Sequence, residues 1–146
     1  MDWYLGELER TGLSLIVYRN GEAIFFSRSS GISPHLEAIE KVGREALRGT
    51  VVADKIVGRA AALLILYAGS AEVHSMLVSS GGRELLEGRG VKLEFNRETP
   101  SINVRDGVIL CPFERMVQGI SDPEEAYEKI VEKVAELENR SLRKEP

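Results

Sequence analysis

Apolar positions along this chain recur at two spacings, the two-residue period of a strand and the three-to-four-residue period of a helix. Trp3, Leu5 and Leu8 predict a short opening helix. Leu13–Tyr18 and Ala23–Ser27 are apolar, β-branched or aromatic runs on either side of Asn20-Gly21. That pair predicts a hairpin, because both central residues of a type I′ turn need positive φ. Ser33-Pro34 sets an N-cap before a proline at the first helical position, and Leu36, Ile39, Val42, Ala46 and Leu47 repeat at helical spacing. An amphipathic helix over the sheet follows.

Thr50–Ala53 reads as a short strand or connector, and Asp54 as the N-cap of a helix that runs to about Ala68 and closes at Gly69. Apart from Lys55 and Arg59 in its first turns, that helix is apolar around its whole circumference, the mark of a helix buried between layers. Glu72–Val78 and Val91–Phe95 read as strands, separated by a Ser79–Gly82 loop and a short helix Arg83–Glu87. Strand–helix–strand units favour parallel pairing with right-handed crossovers. The pattern weakens beyond Asn96. Pro100 and an Asp106-Gly107 turn frame a short strand Val108–Leu110, and Cys111-Pro112-Phe113-Glu114 opens another helical turn. Asp122-Pro123 with Glu125 starts a terminal helix whose stripe is Tyr127, Ile130, Val131, Val134 and Leu137. The charged end, Ser141–Pro146, is expected to fray. The chain carries no internal repeat or low-complexity segment, so the pattern as a whole predicts one α/β domain over residues 1–146, three α-β-α layers around a mixed sheet.

Composition narrows the function classes. A chain of 146 residues buries roughly 70% of the surface its unfolded form exposes, enough for a core without staples. Lys and Arg total 19 against 23 Asp and Glu, and the net charge of −4 gives no general attraction for nucleic-acid backbone or anionic membrane. Only a local basic patch could supply one. Cys111 is the single cysteine, which excludes an internal disulfide and a multi-cysteine zinc site and fits a reducing, cytoplasmic setting. The start, Met1-Asp2-Trp3-Tyr4, lacks the basic segment and apolar run of a leader, and the longest apolar run, Ala60–Ala68, is too short to span a bilayer. Richness in Glu and Arg with one Gln and one Cys leans toward a thermophilic source.

The order of elements, helix, hairpin, helix, buried helix with a polar first turn, strand, loop, helix, strand, resembles the cytidine-deaminase-like fold. More closely, Asp54-Lys55-Ile56-Val57-Gly58-Arg59-Ala60-Ala61-Ala62-Leu63-Leu64 together with Cys111-Pro112-Phe113-Glu114 is similar to an uncharacterised family, a domain of unknown function placed in that superfamily. The resemblance covers roughly Leu13 to Ile130. Zinc deaminases carry His-x-Glu at the start of the buried helix and Pro-Cys-x-x-Cys at the next, which supply three ligands and an acid/base for the zinc-bound water. Arg59-Ala60-Ala61 stands where the first motif would be and Ser79-Ser80-Gly81-Gly82-Arg83 where the second would be. The resemblance therefore implies no zinc and no deamination, and it sets the Arg59 cation where a metal would supply positive charge.

Candidate site residues follow from two helix starts at one end of the sheet, where free backbone N–H groups can hold an anion. Ser79, Ser80, Gly81 and Gly82 either form such a seat or simply connect strand to helix with a serine cap. Asp54 sits at the other start, and Lys55 and Arg59, four apart on one helical face, either clamp a phosphate or pair with neighbouring glutamates. Arg97, Asn103 and Arg105 occupy an irregular segment that could reach a ligand or lie solvated. Cys111 before Pro112 sits where a helix dipole acidifies a thiol, against the bland alternative of an inert core cysteine. His35 and His74 match no dyad spacing with it, so Cys111 is not expected to be a nucleophile.

These residues favour a metal-free, cofactor-free, non-deaminating domain that binds a nucleotide-like or other phosphate-bearing small molecule. The alternatives are an enzyme of another class using Cys111 and Glu114, or a homo-oligomeric structural protein assembled through the hairpin edge or its apolar helices.

Overall fold

The computed structural model describes residues 2–104 and 109–144. Helix α1 (Trp3–Thr11) opens the chain, capped by Asp2, whose carboxylate accepts the Leu5 N–H at 3.1 Å. Strands β1 (Leu15–Arg19) and β2 (Glu22–Ser27) form the expected hairpin. Asn20 at φ 52° and Gly21 at φ 82° meet the positive-φ demand of the tight turn. Helix α2 (Ser33–Lys41) follows, with Ile32 rather than Ser33 at the N-cap; the Ser33 hydroxyl points to Glu37 instead, at 3.4 Å. The single helix expected from Leu36 to Leu47 is broken. Gly43 leaves helical space at φ 90°, and a separate turn α3 (Arg44–Leu47) brings Leu47 into the core while Arg44 lies over the Tyr67 ring at 3.8 Å.

Strand β3 (Val51–Val57) is longer than the sequence pattern suggests, and Asp54 lies inside it. It pairs on both edges, antiparallel with β1 (Leu15 opposite Asp54) and parallel with β4 (Glu72–Ser79). Ladder bonds on two sides outweigh the capping preference of Asp54, whose side chain turns to His35. Helix α4 (Arg59–Ala68) therefore starts four residues later than expected, with Gly58 rather than Asp54 at the N-cap, and ends at Gly69 as predicted. No loop separates β4 from α5 (Ser80–Gly88): Ser79 ends the strand and caps the helix. Strand β5 (Lys92–Thr99) completes a five-stranded sheet of order β2-β1-β3-β4-β5, in which β3, β4 and β5 run parallel and β1 is antiparallel to both neighbours. A two-stranded ladder, β6 (Asn103–Val104) with β7 (Ile109–Leu110), leads to α6 (Pro112–Met116) and α7 (Pro123–Lys144). Arg105, the Asp106-Gly107 turn and Val108 lie outside the described residues.

The three α-β-α layers follow from which face each strand residue presents. On one face Leu5 and Leu8 of α1 pack on Leu13, Ile16, Tyr18 and Ala53. The larger core on the other face gathers Leu15, Val17, Val52, Val73 and Val78 under α2, α4, α5 and α7. Helix α4 lies innermost, with Ala60–Ile65 all buried, as its apolar circumference requires. Each fully buried Leu or Ile there is worth about 1.5–3 kcal/mol of transfer free energy. The Tyr67 and Tyr127 rings stack at 4.2 Å and fix α7 against α4. Of the predicted α7 stripe, Ile130 is buried and Tyr127 and Val134 are half-buried, whereas Val131 and Leu137 are exposed. The helix continues through Lys144, with an Arg140–Glu136 pair one turn apart, and Glu145 and Pro146 of the segment expected to fray lie outside the described residues. Among the described residues no helix is long and apolar enough to cross a membrane.

Candidate functional site

Helices α4 and α5 both begin at the carboxyl ends of parallel strands, so their N-termini lie side by side. The approach is close enough to demand glycine: a Cβ on Gly82 would stand 2.9 Å from the Gly58 carbonyl oxygen. Helix α5 is closed by its own Ser79, whose hydroxyl accepts the Gly82 N–H at 3.0 Å. Helix α4 has no such cap from Gly58. Its first N–H groups are met from far along the chain by Glu114 of α6, Oε2 accepting from Arg59 N at 2.9 Å and Oε1 from Ala60 N at 3.2 Å. Burial pushes the Glu114 carboxyl above its ordinary range, while the Ala60 and Arg59 N–H bonds and the Arg59 charge pull the other way.

Beside this junction lies a pocket of about 490 Å³. Ile32, Pro34, Leu36, Ile56, Phe113 and Val134 form apolar walls, and Asp54, Lys55, Cys111 and Glu114 supply most of its chemistry, with Ser29 and Ser30 of the β2–α2 connection and Ser33 at the start of α2 also on the lining. The structure thus brings together four of the residues singled out in the sequence. Lys55 and Arg59 do not share a helical face: Lys55 is in β3, and Arg59 points away from the pocket, donating from Nε to the Val117 carbonyl at 2.9 Å and from its terminal nitrogen to Ile120 at 2.5 Å. Ser79, Ser80, Gly81 and Gly82 flank the pocket without lining it, and the Ser80 hydroxyl donates to Glu98 at 2.8 Å. Arg83 and, secondarily, Ser80 hold the Glu98 carboxyl below its ordinary range. Arg97 is exposed on the edge strand β5, and the backbone of Asn103 belongs to β6.

Sequence reasoning missed the partners of both histidines, one pairing buried and the other half-buried. His35 Nε2 lies 2.6 Å from Asp54 Oδ2. His74 bridges Asp2 at Nδ1 and Glu72 at Nε2, both at 2.5 Å, on the α1 side of the sheet. The available signal was a histidine in the first turn of one helix and a carboxylate on a strand, nineteen positions apart, which topology alone can join. Among the described residues no three His, Cys, Asp or Glu side chains are arranged to hold a metal ion.

The model of a family described as a domain of unknown function, DUF1893, matches residues 5–134. The crystal structure of a DUF1893 family protein from Thermotoga maritima superposes with a TM-score of 0.81 at 30% identity, over 91% of this chain and 92% of that one. Two forms of Acinetobacter baumannii RibD overlap 57% of this chain and 28% of theirs, with TM-scores of 0.48 and 0.46 at 13% and 14% identity. No curated protein matches the sequence.

Proposed function

We propose, from the premise that this chain belongs to the DUF1893 family, a domain of unknown function, that it is a small-molecule-binding domain for a nucleotide-like ligand, and that it does not deaminate that ligand. One observation carries the reading: a pocket of about 490 Å³, apolar in its walls with a few convergent polar groups, at the carboxyl end of β3. That size, lining and position are those of small-molecule sites in α/β sheets. The phosphate-binding part of the reading moves from the Arg59 and Ser79–Gly82 cluster to Lys55, which carries the positive charge among the described lining residues. A ring fits between the apolar walls, and a phosphate lies outward, toward Lys55 and the serines of the β2–α2 connection.

Thermal denaturation against a panel of nucleosides and nucleotides tests this. A ligand at a hundred times its Kd should add about 2.7 kcal/mol, which for a domain of this size raises Tm by about 5–10 °C. Ser30→Trp, an exposed lining position, should abolish the rise by filling the pocket, and Lys55→Ala should weaken nucleotides more than nucleosides. A panel in which nothing moves Tm refutes the reading, as does a shift that survives Ser30→Trp. The enzyme alternative has one observation in its favour, that Cys111 and Glu114 share this pocket. Among the described residues no histidine lines the pocket beside the Cys111 thiol, and His74 lies across the sheet with Asp2 and Glu72.

A further inference from the structure

The two adjacent helix N-termini are treated differently. Helix α5 is satisfied locally, whereas α4 receives a carboxylate from fifty-five residues away. Gly58 makes room for it: a Cβ there would lie 2.7 Å from the Glu114 carboxyl carbon and 2.8 Å from Ile102 Cγ1. Glu114 is 8% exposed and lines the pocket, so the anion position at α4 is already occupied, by the chain itself, in the buried wall of the cavity. A carboxylate offers about four lone-pair sites, of which the two N–H groups take two. Asp54 sets a second carboxylate on the same lining, partnered by His35.

We infer that Glu114 fixes the polarity of the ligand: it excludes an anionic group from the inner end of the pocket and presents its remaining lone pairs to a hydrogen-bond-donating edge, such as the amide or amino group of a heterocycle. The inference rests on the nucleotide-like reading for the ring and adds its orientation, donor edge toward Glu114 and phosphate toward Lys55. A second anion beside Glu114 would meet like charge between apolar walls, where neither is well solvated. A neutral or cationic donor meets an acceptor already held in place by two backbone bonds.

Glu114→Ala frees the helix end to take an external anion, and formate or acetate is small enough to enter. The variant's Tm should rise by several degrees as either salt approaches about 0.1 M, while the wild type moves by less than about one degree against a chloride control. Equal response in both proteins, or none in a folded variant, overturns the inference. A matched pair of ring probes gives a second measurement. Nicotinamide should bind the wild type at least about tenfold more tightly than nicotinate, and Glu114→Gln should bring the two within about threefold. A Glu114→Ala chain that stays unfolded at every formate concentration, beside a Glu114→Gln chain that discriminates like the wild type, also overturns it. Formate rescue with a wild type indifferent to every nucleotide and both ring probes would refute the nucleotide-like reading and leave the Glu114 assignment standing; nucleotide shifts without rescue would do the reverse.

Discussion

Arg59→Ala separates two roles that one side chain could play. As a ligand clamp, Arg59 would contribute to binding and little to folding. The structure gives it a folding role: its guanidinium donates to the Val117 and Ile120 carbonyls, tying the first turn of α4 to the segment that follows α6. Hydrogen bonds from a charged donor are worth about 1.5–3 kcal/mol each, and because Arg59 is half-buried the lower end applies, so their joint loss should cost about 2–3 kcal/mol. For a domain of this length that corresponds to a Tm lower by about 5–10 °C. Arg59→Lys should recover at most part of the loss, since one ammonium cannot reproduce the planar fork that spans both carbonyls. Urea denaturation at neutral pH gives the free energy directly, with an unchanged m-value as the check that the same two states are compared. A loss below about 0.5 kcal/mol, the range of ordinary surface substitutions, would refute the structural assignment. It would do so most sharply if ligand-induced stabilisation vanished at the same time.

At the start of α5, neighbouring glycines should respond oppositely. Gly82→Ala sets a methyl 2.9 Å from the Gly58 carbonyl oxygen and 3.1 Å from its carbon, backbone that cannot swing aside, and should cost about 1–3 kcal/mol by urea denaturation. Gly81→Ala finds only the Arg59 side chain at 3.8 Å and should gain up to about 1 kcal/mol from helix propensity; a gain at Gly82 would show that the two helices are not held this close. Glu114 should leave a pH signature. Burial raises its folded carboxyl above the unfolded value of 4.5, so the folded state binds the proton more tightly, and this contribution to stability is fully present below pH 4.5 and lost as pH rises through the folded value. Glu114→Gln removes that dependence, so the variant's stability relative to wild type should climb as pH rises from 4.5 through the raised folded value, and a flat or falling difference would reverse the sign of the shift.

The layers and most elements were legible in the sequence because they rest on local chemistry. Asn20-Gly21 can hardly be anything but a tight turn, and the apolar circumference of Ala60–Ala68 announces a helix buried on all sides. What was misread depended on partners distant in sequence. Asp54 has the chemistry of an N-cap, yet β1 and β4 claim its backbone on both edges and His35 claims its carboxylate. Ser79–Gly82 has the composition of a loop, yet Gly82 serves a close approach to Gly58 within a strand-to-helix step that has no loop. Lys55 and Arg59 were given a common face by an assumed helix boundary, and moving that boundary to Gly58 sends them in different directions. The pocket joins β3 to the β2–α2 connection and to α6, segments whose meeting no local pattern encodes.

Glu114 and Arg59 together explain why the pocket wall should hold its shape. The positive end of α4 meets the Glu114 carboxylate, and the Arg59 guanidinium, one residue from that end, meets the carbonyls of Val117 and Ile120 just beyond the same short helix. Charge thus alternates from α4 to α6 and back, and α6, only five residues long, is held by polar bonds at its middle residue, Glu114, and just beyond its C-terminal end, at Val117 and Ile120, as well as by packing. Cys111, Pro112, Phe113 and Glu114 are the part of the pocket this arrangement positions. A substitution at Arg59, which lies off the lining, should therefore alter ligand affinity through the placement of Glu114 even though it touches no ligand, and Arg59→Ala should weaken nicotinamide more than Lys55→Ala does.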